Sequence, residues 1–278
     1  MSTADSEVKM LTPEAYQVKS IAHETSDIFT LSLTKPGGGR FEFLPGQFNM
    51  LYQFGYGEAA ISISGDSENN EELIHTVRAV GSVTRSLQKL KIGDEIGVRG
   101  PFGSHWPLSK DYRDVLIITG GIGIAALQSA MYYLAKRAKE YRKVTLLYGS
   151  RLPQDIFYKN DIEKFKQSGL NVEITVDHAD LEWKGNVGVV TKFIRKNLED
   201  PNHTLVLICG PEIMMKFAIY ELMQAKVEQG NIYLSMERSM QCALGFCGHC
   251  QYGPYFLCKD GPVFSYAQLK TWLLIKEL

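Results

Sequence analysis

Four cysteines near the C-terminal end are the residues most able to do chemistry. Cys242, Cys247, Cys250 and Cys258 follow the spacing C-x4-C-x2-C-x7-C. The x4, x2 spacing is typical of plant-type [2Fe-2S] sites, in which one loop turns three thiolates toward a small cluster and a later turn supplies the fourth. Zinc also accepts four thiolates, but zinc sites usually pair two C-x2-C knuckles, and this segment has one. The spacing predicts a [2Fe-2S] cluster, with zinc as the alternative.

Glycine-bearing turns that follow apolar runs form a second group of candidate residues. In open α/β sheets, ligands bind at the carboxyl ends of the strands, where backbone N–H groups and a helix N-terminus receive phosphate. Three such turns are expected to face one crevice, and arginine in the second suits a 2′-phosphate. The predicted nucleotide-binding residues are Gly120, Gly121, Gly123, Ser150, Arg151, Cys209, Gly210 and Pro211. The first turn departs from G-x-G-x-x-G because Ala126 stands at the third glycine position.

The elements that must position these residues show two kinds of sequence pattern. Short alternating runs separated by Gly and Pro turns predict a small antiparallel β-barrel over residues 12–108. Continuous apolar runs alternating with helical segments predict a parallel sheet covered on both faces over residues 109–234. Residues 235–278 then carry the cysteines and a terminal helix from about Ser265. The predicted fold class is a β-barrel followed by an α/β domain and a small cluster-binding segment.

Composition narrows the class of function. The chain has 278 residues, a formal net charge of −1 and five cysteines. Near-neutral charge argues against binding to nucleic acid or to an anionic membrane, so small ligands and protein partners are expected. No apolar stretch reaches the length of a membrane span, and residues 1–10 lack the apolar core of a signal sequence. We therefore expect a cytoplasmic protein whose cysteines are free or bound to metal.

The order of the motifs resembles the ferredoxin–NADP reductase superfamily over nearly the whole chain. The cysteine-bearing end is similar to that of dihydroorotate dehydrogenase electron-transfer subunits, anaerobic sulfite reductase B subunits and the gamma subunits of cytoplasmic [NiFe] hydrogenases, or sulfhydrogenases. The segments 45–50, 57–64 and 210–215 (PGQFNM, GEAAISIS and GPEIMM) are most similar to the hydrogenase gamma group. Taken alone, the barrel segments 61–64 and 76–84 would pass for ordinary strands.

The resemblance implies a role for each matched position. The implied FAD-binding residues are Ala59, Ala60, Ile61, Ser62, Thr76, Val77, Arg78, Gly81, Val83 and Thr84. Cys209, with the glycine turns, would match the NAD(P) site near the nicotinamide, where it is the catalytic candidate that helps to orient the ring; packing of its strand is the alternative. Ala59 replaces the arginine of the superfamily's R-x-Y-S strand, so Arg78 or Arg85 must supply the missing phosphate contact if FAD binds.

The resemblance implies an NAD(P)H-dependent diaphorase subunit. FAD would exchange hydride with NAD(P)H, and the [2Fe-2S] cluster would pass single electrons to the iron–sulfur and catalytic subunits of a redox complex, in the first place a [NiFe] hydrogenase. A sulfite reductase or dihydroorotate dehydrogenase partner is the alternative. A hypothesis of another class is a metal-binding scaffold or sensor that has lost its flavin, which Ala59 makes conceivable.

Overall fold

The chain folds into two compact units. This computed structural model describes residues 10–69, 71–109, 111–273 and 275. The first unit contains the residues up to His105 together with Glu237–Pro262, and the second contains Trp106–Met236 together with the residues from Val263 onward. The cysteine segment thus belongs to the same unit as the N-terminal strands. The domain limits drawn from the sequence stay a prediction.

The first unit is built on a six-stranded antiparallel sheet with the order β4-β3-β6-β1-β2-β5. Its strands are β1 Glu14–His23, β2 Ile28–Thr34, β3 Phe48–Gln53, β4 Gly57–Ser62, β5 Leu73–Arg78 and β6 Glu95–Phe102. A short helix, α1 Ser82–Leu87, follows β5. Directly after β4, Ile63 pairs with His75 of β5, and the Ser64 N–H donates to the Ile74 carbonyl at 2.9 Å. This pairing brings the two outer strands together into a barrel, which removes exposed strand edges.

Alternating apolar side chains fill the barrel. In β1, Tyr16 and Val18 are buried while the residues between and beside them are exposed. Phe29, Leu31 and Leu33 of β2 are completely buried in the same core. Because side chains of a strand alternate between its two faces, one face of β1 supplies this core and the other carries exposed residues.

The second unit is a seven-stranded sheet with the order β10-β9-β8-β7-β11-β12-β15. Its strands are β7 Asp114–Gly120, β8 Lys143–Ser150, β9 Asn171–Val176, β10 Asn186–Val187, β11 Thr204–Cys209, β12 Ile232–Ser235 and β15 Val263–Ser265. Its helices are α2 Ile124–Lys136, α3 Lys159–Gln167, α4 Glu212–Gln224 and α5 Tyr266–Leu269. All neighbours pair in parallel except β15, which runs antiparallel to β12.

Strands β7 and β11 lie at the centre of this sheet and are buried along their whole length. The chain moves from β7 outward through β8 and β9, and then returns to the other side of β7 as β11. The strand order therefore reverses between β7 and β11, which is the position where open α/β sheets bind ligands. The predicted barrel followed by a parallel sheet is confirmed as the fold class.

A third, two-stranded sheet lies in the cysteine segment. Strands β13 Gln251–Tyr252 and β14 Tyr255–Phe256 pair as a tight antiparallel hairpin. The segment begins just after β12 and ends just before β15, and those two strands pair with Ser235 opposite Val263. The cysteine segment is therefore a long connection between two adjacent antiparallel strands.

Candidate functional site

The four predicted cluster ligands lie in the loops around this hairpin. Cys250 and Cys258 are buried, Cys242 is half-buried and Cys247 is exposed. Ala243, Gly245 and Gly248 all have positive φ, which turns the loop sharply between the ligands. Alanine rarely adopts this left-handed conformation, so the φ of 62° at Ala243 carries strain of about 1 kcal/mol. The loop is held in a shape that its sequence alone does not favour.

Backbone N–H groups converge on the sulfur atoms. Leu244 and Phe246 donate to the Cys242 sulfur at 3.4 and 3.3 Å, and Gly245 donates to that of Cys258 at 3.2 Å. Hydrogen bonds of this kind stabilise negative charge on sulfur and are among the interactions that set the potential of an iron–sulfur cluster. The arrangement prepares the loop to hold thiolates.

The pKa values of two thiols reflect these surroundings. Burial alone would raise the pKa of Cys242, but the N–H groups of Leu244, Cys247 and Phe246 outweigh burial and lower this pKa to about 6. Burial raises the pKa of Cys258 to about 12, and the neighbouring Cys250 thiol adds to the effect. Metal binding deprotonates a coordinating thiol outright, so it would change the protonation of Cys258, whose pKa is raised, more than that of Cys242, whose pKa is lowered.

The four thiols lie close enough to interact. Cys242 interacts with Cys247, and Cys258 interacts with both Cys250 and Cys242. Within the described ranges, no group of three or more His, Cys, Asp or Glu side chains is arranged to hold one metal ion. A [2Fe-2S] cluster takes two thiolates at each iron, whereas a zinc ion takes four around one point. Four neighbouring thiols in one loop are a ligand set that fits the cluster.

The predicted flavin strand is β4, which contains Ala59, Ala60, Ile61 and Ser62. All residues of this strand are half-buried. The carbonyl oxygen of Ser62 accepts a hydrogen bond from Nδ1 of His75 at 2.9 Å, and Nε2 of His75 lies 3.2 Å from the Asn49 side-chain nitrogen. His75 is completely buried, and burial lowers its pKa to about 4, so the ring is neutral. The neutral ring fixes the main chain at the end of the flavin strand.

The remaining predicted FAD residues lie on β5 and at the start of α1. Thr76 is buried with its hydroxyl 2.8 Å from that of Thr30, and the Val77 side chain lies in the barrel core. Arg78 is exposed and pairs with Asp27 at 3.3 Å. These positions differ in what they can offer a ligand, because the Val77 side chain is committed to the core and Arg78 is accessible.

One side-chain hydroxyl accepts a hydrogen bond that stabilises the turn at the start of α1. The N–H of Gly81 donates to Thr84 Oγ1 at 2.9 Å, so the Thr84 side chain serves this turn. A Cβ on Gly57, the first residue of β4, would lie 3.8 Å from the Val83 side chain. The structure therefore brings the first turn of α1 to the first residue of β4, so that these two predicted flavin segments are adjacent.

The glycine turns after β7 and β11 meet at the reversal of strand order. A Cβ on Gly123 would lie 2.4 Å from the carbonyl oxygen of Cys209, and a Cβ on Gly210 would lie 3.0 Å from the backbone nitrogen of Gly120. Gly210 also has a φ of 156°, which other residues rarely adopt. These close approaches require glycine, because any side chain would separate the two turns.

The third predicted turn lies beside the first. Gly149 pairs with Gly120 in the sheet, and Ser150 follows it, with its side chain buried. The hydroxyl oxygens of Ser150 and Thr119 are buried with no hydrogen-bond partner among the described residues. Buried hydroxyls are normally hydrogen-bonded, so a ligand or water must supply the partners. The cradle fits a nucleotide, with Gly121, Arg151 and Pro211 at its more exposed rim.

Comparisons with known proteins agree with this arrangement. Residues 117–219 match the family described as oxidoreductase NAD-binding domain, and residues 237–270 match the iron–sulfur cluster binding domain of dihydroorotate dehydrogenase B. Sulfhydrogenase 2 subunit gamma of Pyrococcus furiosus is 34% identical over 245 residues, which cover 81% of this chain and 84% of that protein. A probable dihydroorotate dehydrogenase B electron transfer subunit from the same organism is 38% identical, covering 83% of each chain. The chain belongs to the iron–sulfur branch of the ferredoxin–NADP reductase superfamily.

Two solved structures share this fold. The NADH-dependent reduced ferredoxin–NADP oxidoreductase superposes with a TM-score of 0.74 at 27% identity, covering 93% of this chain and 92% of that one. Phthalate dioxygenase reductase superposes with a TM-score of 0.67 at 21% identity over 84% of this chain and 69% of that one. The latter likeness shows the fold.

Membership in this branch confirms the predicted superfamily and its class of activity. The chain is an NAD(P)H-dependent flavin oxidoreductase subunit whose cofactors are FAD, a [2Fe-2S] cluster and NAD(P). The assignment of individual residues to these cofactors stays a prediction. In the part of the chain that the structure describes, no helix is both long and apolar enough to cross a bilayer.

The sequence alone did not single out Glu58, Arg99, His75 or Asn49 as functional residues. Glu58 belongs to the segment that carries the family resemblance, and Arg99 stands among the apolar and glycine residues in the middle of β6. A charge in such a strand indicates a buried partner. The partner is Glu58, which lies 41 positions away in sequence and could not be chosen from the pattern.

Proposed function

We propose that the chain is the diaphorase subunit of a cytoplasmic [NiFe] hydrogenase complex. It would exchange hydride with NAD(P)H and pass single electrons to an iron–sulfur subunit and a catalytic subunit. The observation that carries the proposal is a loop that directs backbone N–H groups to the sulfur atoms of Cys242 and Cys258 and also exposes Cys247 to solvent. An exposed ligand beside a buried pair suits a carrier that delivers electrons to a docked protein.

The cluster loop also offers a surface for that protein. Phe246 lies between two proposed ligands and is 75% exposed. Aromatic residues are enriched in protein interfaces, so a large exposed ring beside Cys247 supports docking at this loop. The reducing cytoplasm suits four thiols that must stay free of disulfides.

The chain's own residues would bind and orient the two organic cofactors. The turn residues Gly120, Gly121 and Gly123 would present N–H groups to the nucleotide phosphates, and the hydroxyls of Thr119 and Ser150 would hydrogen-bond to it. Bound FAD supplies two-electron exchange with NAD(P)H and one-electron exchange with the cluster. In the barrel, the His75–Ser62 hydrogen bond fixes the strand against which the flavin would lie. Hydride transfer itself needs no acid or base from the protein.

NADP(H) is proposed as an accepted nucleotide because Ser150 and Arg151 follow β8. Arginine binds a 2′-phosphate well, and Arg151 is exposed at the rim of the cradle. The direct test is the rate of flavin reduction by NADPH and by NADH at equal concentration. A large preference for NADH would contradict this part of the proposal.

A dihydroorotate dehydrogenase complex is the second candidate. It is favoured by the match of residues 237–270 to the cluster-binding domain of dihydroorotate dehydrogenase B. Under either candidate the cofactors are the same, so the choice concerns the partner alone.

Affinity purification of the chain from its native cells distinguishes the candidates. We expect a nickel-containing large subunit and an iron–sulfur subunit to co-purify, with flavin absorption that bleaches when NAD(P)H is added. An FMN-containing dihydroorotate dehydrogenase or a sirohaem subunit in their place would overturn the hydrogenase proposal. A colourless protein that contains zinc would support the scaffold hypothesis instead. A Phe246→Ala variant tests the docking surface, because it should weaken co-purification without changing iron content.

A further inference from the structure

A buried arginine joins the predicted flavin strand to the first cluster ligand. Arg99 of β6 is only 6% exposed. Its Nε and Nη2 donate to the two carboxylate oxygens of Glu58 at 2.7 and 2.6 Å, in a bidentate pair. Its Nη1 donates to the carbonyl oxygen of Cys242 at 3.3 Å, and Nη2 donates to that of Gln241 at 3.4 Å. One guanidinium therefore contacts both β4 and the cluster loop.

Stability does not explain this pair. Removing the Arg99 charge from water is costly, and well-packed apolar residues in place of a buried pair are often as stable or more so. The surroundings include a cavity of about 610 Å³ lined by Tyr52, Met240 and the pair itself, which leaves room for water near Glu58. The planar fork of arginine is required here, since a lysine cannot serve both carboxylate oxygens and the loop carbonyls together.

The orientation of the pair has an electrostatic consequence. Nη1 donates to the Cys242 carbonyl oxygen and also to that of Met10 at 3.1 Å, whereas the Glu58 carboxylate accepts from Nε and from Nη2, which contacts the Gln241 carbonyl as well. Reduction of a cluster adds one negative charge. A cation close to the loop stabilises the reduced state, and an anion slightly farther away partly offsets it. Hydrogen bonds and net charge around the ligands are what set such potentials.

We propose that Arg99 is a positioning residue for the first cluster ligand, and that the Glu58–Arg99 pair sets the reduction potential of the cluster. The inference rests on the proposed role of Cys242 as a ligand. The carbonyl contacts fix the loop against the barrel. At the Cys242 carbonyl, the electric field of the adjacent Arg99 cation is larger than the opposing field of the Glu58 carboxylate. Neither effect requires the pair to change its protonation.

Three variants separate these effects: Arg99→Gln, Glu58→Gln and the double variant. We expect the potential to fall in Arg99→Gln, because an uncompensated carboxylate remains, and to rise in Glu58→Gln, because an uncompensated cation remains. Each shift should be about fivefold to tenfold in the equilibrium constant for reduction, which is about 40–60 mV for one electron at 59 mV per tenfold. The double variant should return near the wild-type potential. A purely structural role would not produce shifts of opposite sign.

The measurement is a redox titration of the purified chain at pH 8, followed by the electron paramagnetic resonance signal of the reduced cluster. Iron and sulfide content are determined in parallel. Lys35→Gln is the matched control, because its exposed pair with Glu14 lies in the same barrel unit. Arg99→Lys should keep the wild-type potential but broaden the signal, since the charge remains and the loop contacts are lost.

Shifts of the same sign in the two single variants, or shifts no larger than that of Lys35→Gln, would overturn the proposal. If Arg99→Gln cannot assemble a cluster, Glu58→Gln decides alone, since it keeps the carbonyl contacts and must raise the potential. A wild-type chain without iron would instead overturn the proposed function. The two failures are therefore distinguishable.

Discussion

Gly123→Ala tests whether the meeting point of the β7 and β11 turns is the nucleotide site. The new Cβ would lie 2.4 Å from the Cys209 carbonyl oxygen and 2.7 Å from the Gly210 Cα, both backbone atoms that must move apart. Overpacking of this kind costs about 1–3 kcal/mol. A free-energy difference of 1.4 kcal/mol corresponds to a tenfold change in Kd. If the whole cost of overpacking weakens nucleotide binding, the Kd for NAD(P)H rises about fivefold to 150-fold.

The assay is calorimetric titration of the purified protein with NADH and with NADPH, together with the rate at which each bleaches the flavin. Gly230→Ala is the control, since it lies in the same unit, has an ordinary φ and has nothing within 4 Å of its added Cβ. Flavin and iron content should stay at wild-type values in both variants, because the proposed residues for those cofactors lie in the barrel unit. A Gly123→Ala protein that binds nucleotide as tightly as Gly230→Ala would refute the assignment.

Three further predictions concern the barrel and Cys209. Burial lowers the pKa of His75 to about 4, below its unfolded value of about 6.5. Between these two pH values the unfolded chain binds one more proton than the folded chain, so barrel stability falls as the pH drops from 6.5 toward 4. The free energy of unfolding, measured with urea, should fall by about 3 kcal/mol over this pH range in the wild-type chain and stay constant in His75→Gln. An equal fall in the variant would contradict the role of His75. If Arg78 replaces the missing phosphate contact at Ala59, Arg78→Ala should raise the Kd for FAD about tenfold while Arg85→Ala leaves it unchanged; the reverse result in flavin titration would assign the role to Arg85. Cys209→Ser should keep full iron content and slow flavin reduction by NAD(P)H several-fold, whereas loss of iron would show that this thiol belongs to the cluster.

Local patterns account for much of the fold. The fully buried strands β7 and β11 are continuous apolar runs, and their glycine turns follow directly, so the central part of the second unit could be predicted from the sequence. Helical propensity continues back to about Ile156, but α3 begins at Lys159. A short 3₁₀ turn at Pro153–Asp155 and the left-handed Tyr158, with a φ of 59°, come before it. Propensity identifies the helix but not this irregular start.

Pairings across long stretches of sequence account for the rest. The antiparallel partner of β12 is β15, which follows the whole cysteine segment, and no local signal identifies it. The cysteine spacing predicted four ligands, but the N–H groups that donate to their sulfur atoms are set by the folded loop. The Glu58–Arg99 pair joins the two strands on either side of β3, and the His75–Ser62 bond joins the two outer strands that close the barrel, so both depend on pairings between distant segments.

The pairing of β12 with β15 also makes the cysteine segment exchangeable. Because Ser235 and Val263 lie opposite each other in an antiparallel pair, the two ends of the segment are held about 5 Å apart. A corresponding segment from a relative could be spliced between these positions while the sheet supplies the closure. The acceptors that Arg99 uses in this segment are main-chain carbonyls, so a donor segment with the same backbone path would provide them whatever its side chains. The connection between Ser235 and Val263 is therefore a defined position at which other cluster-binding segments can be inserted, to build diaphorases whose clusters differ in reduction potential.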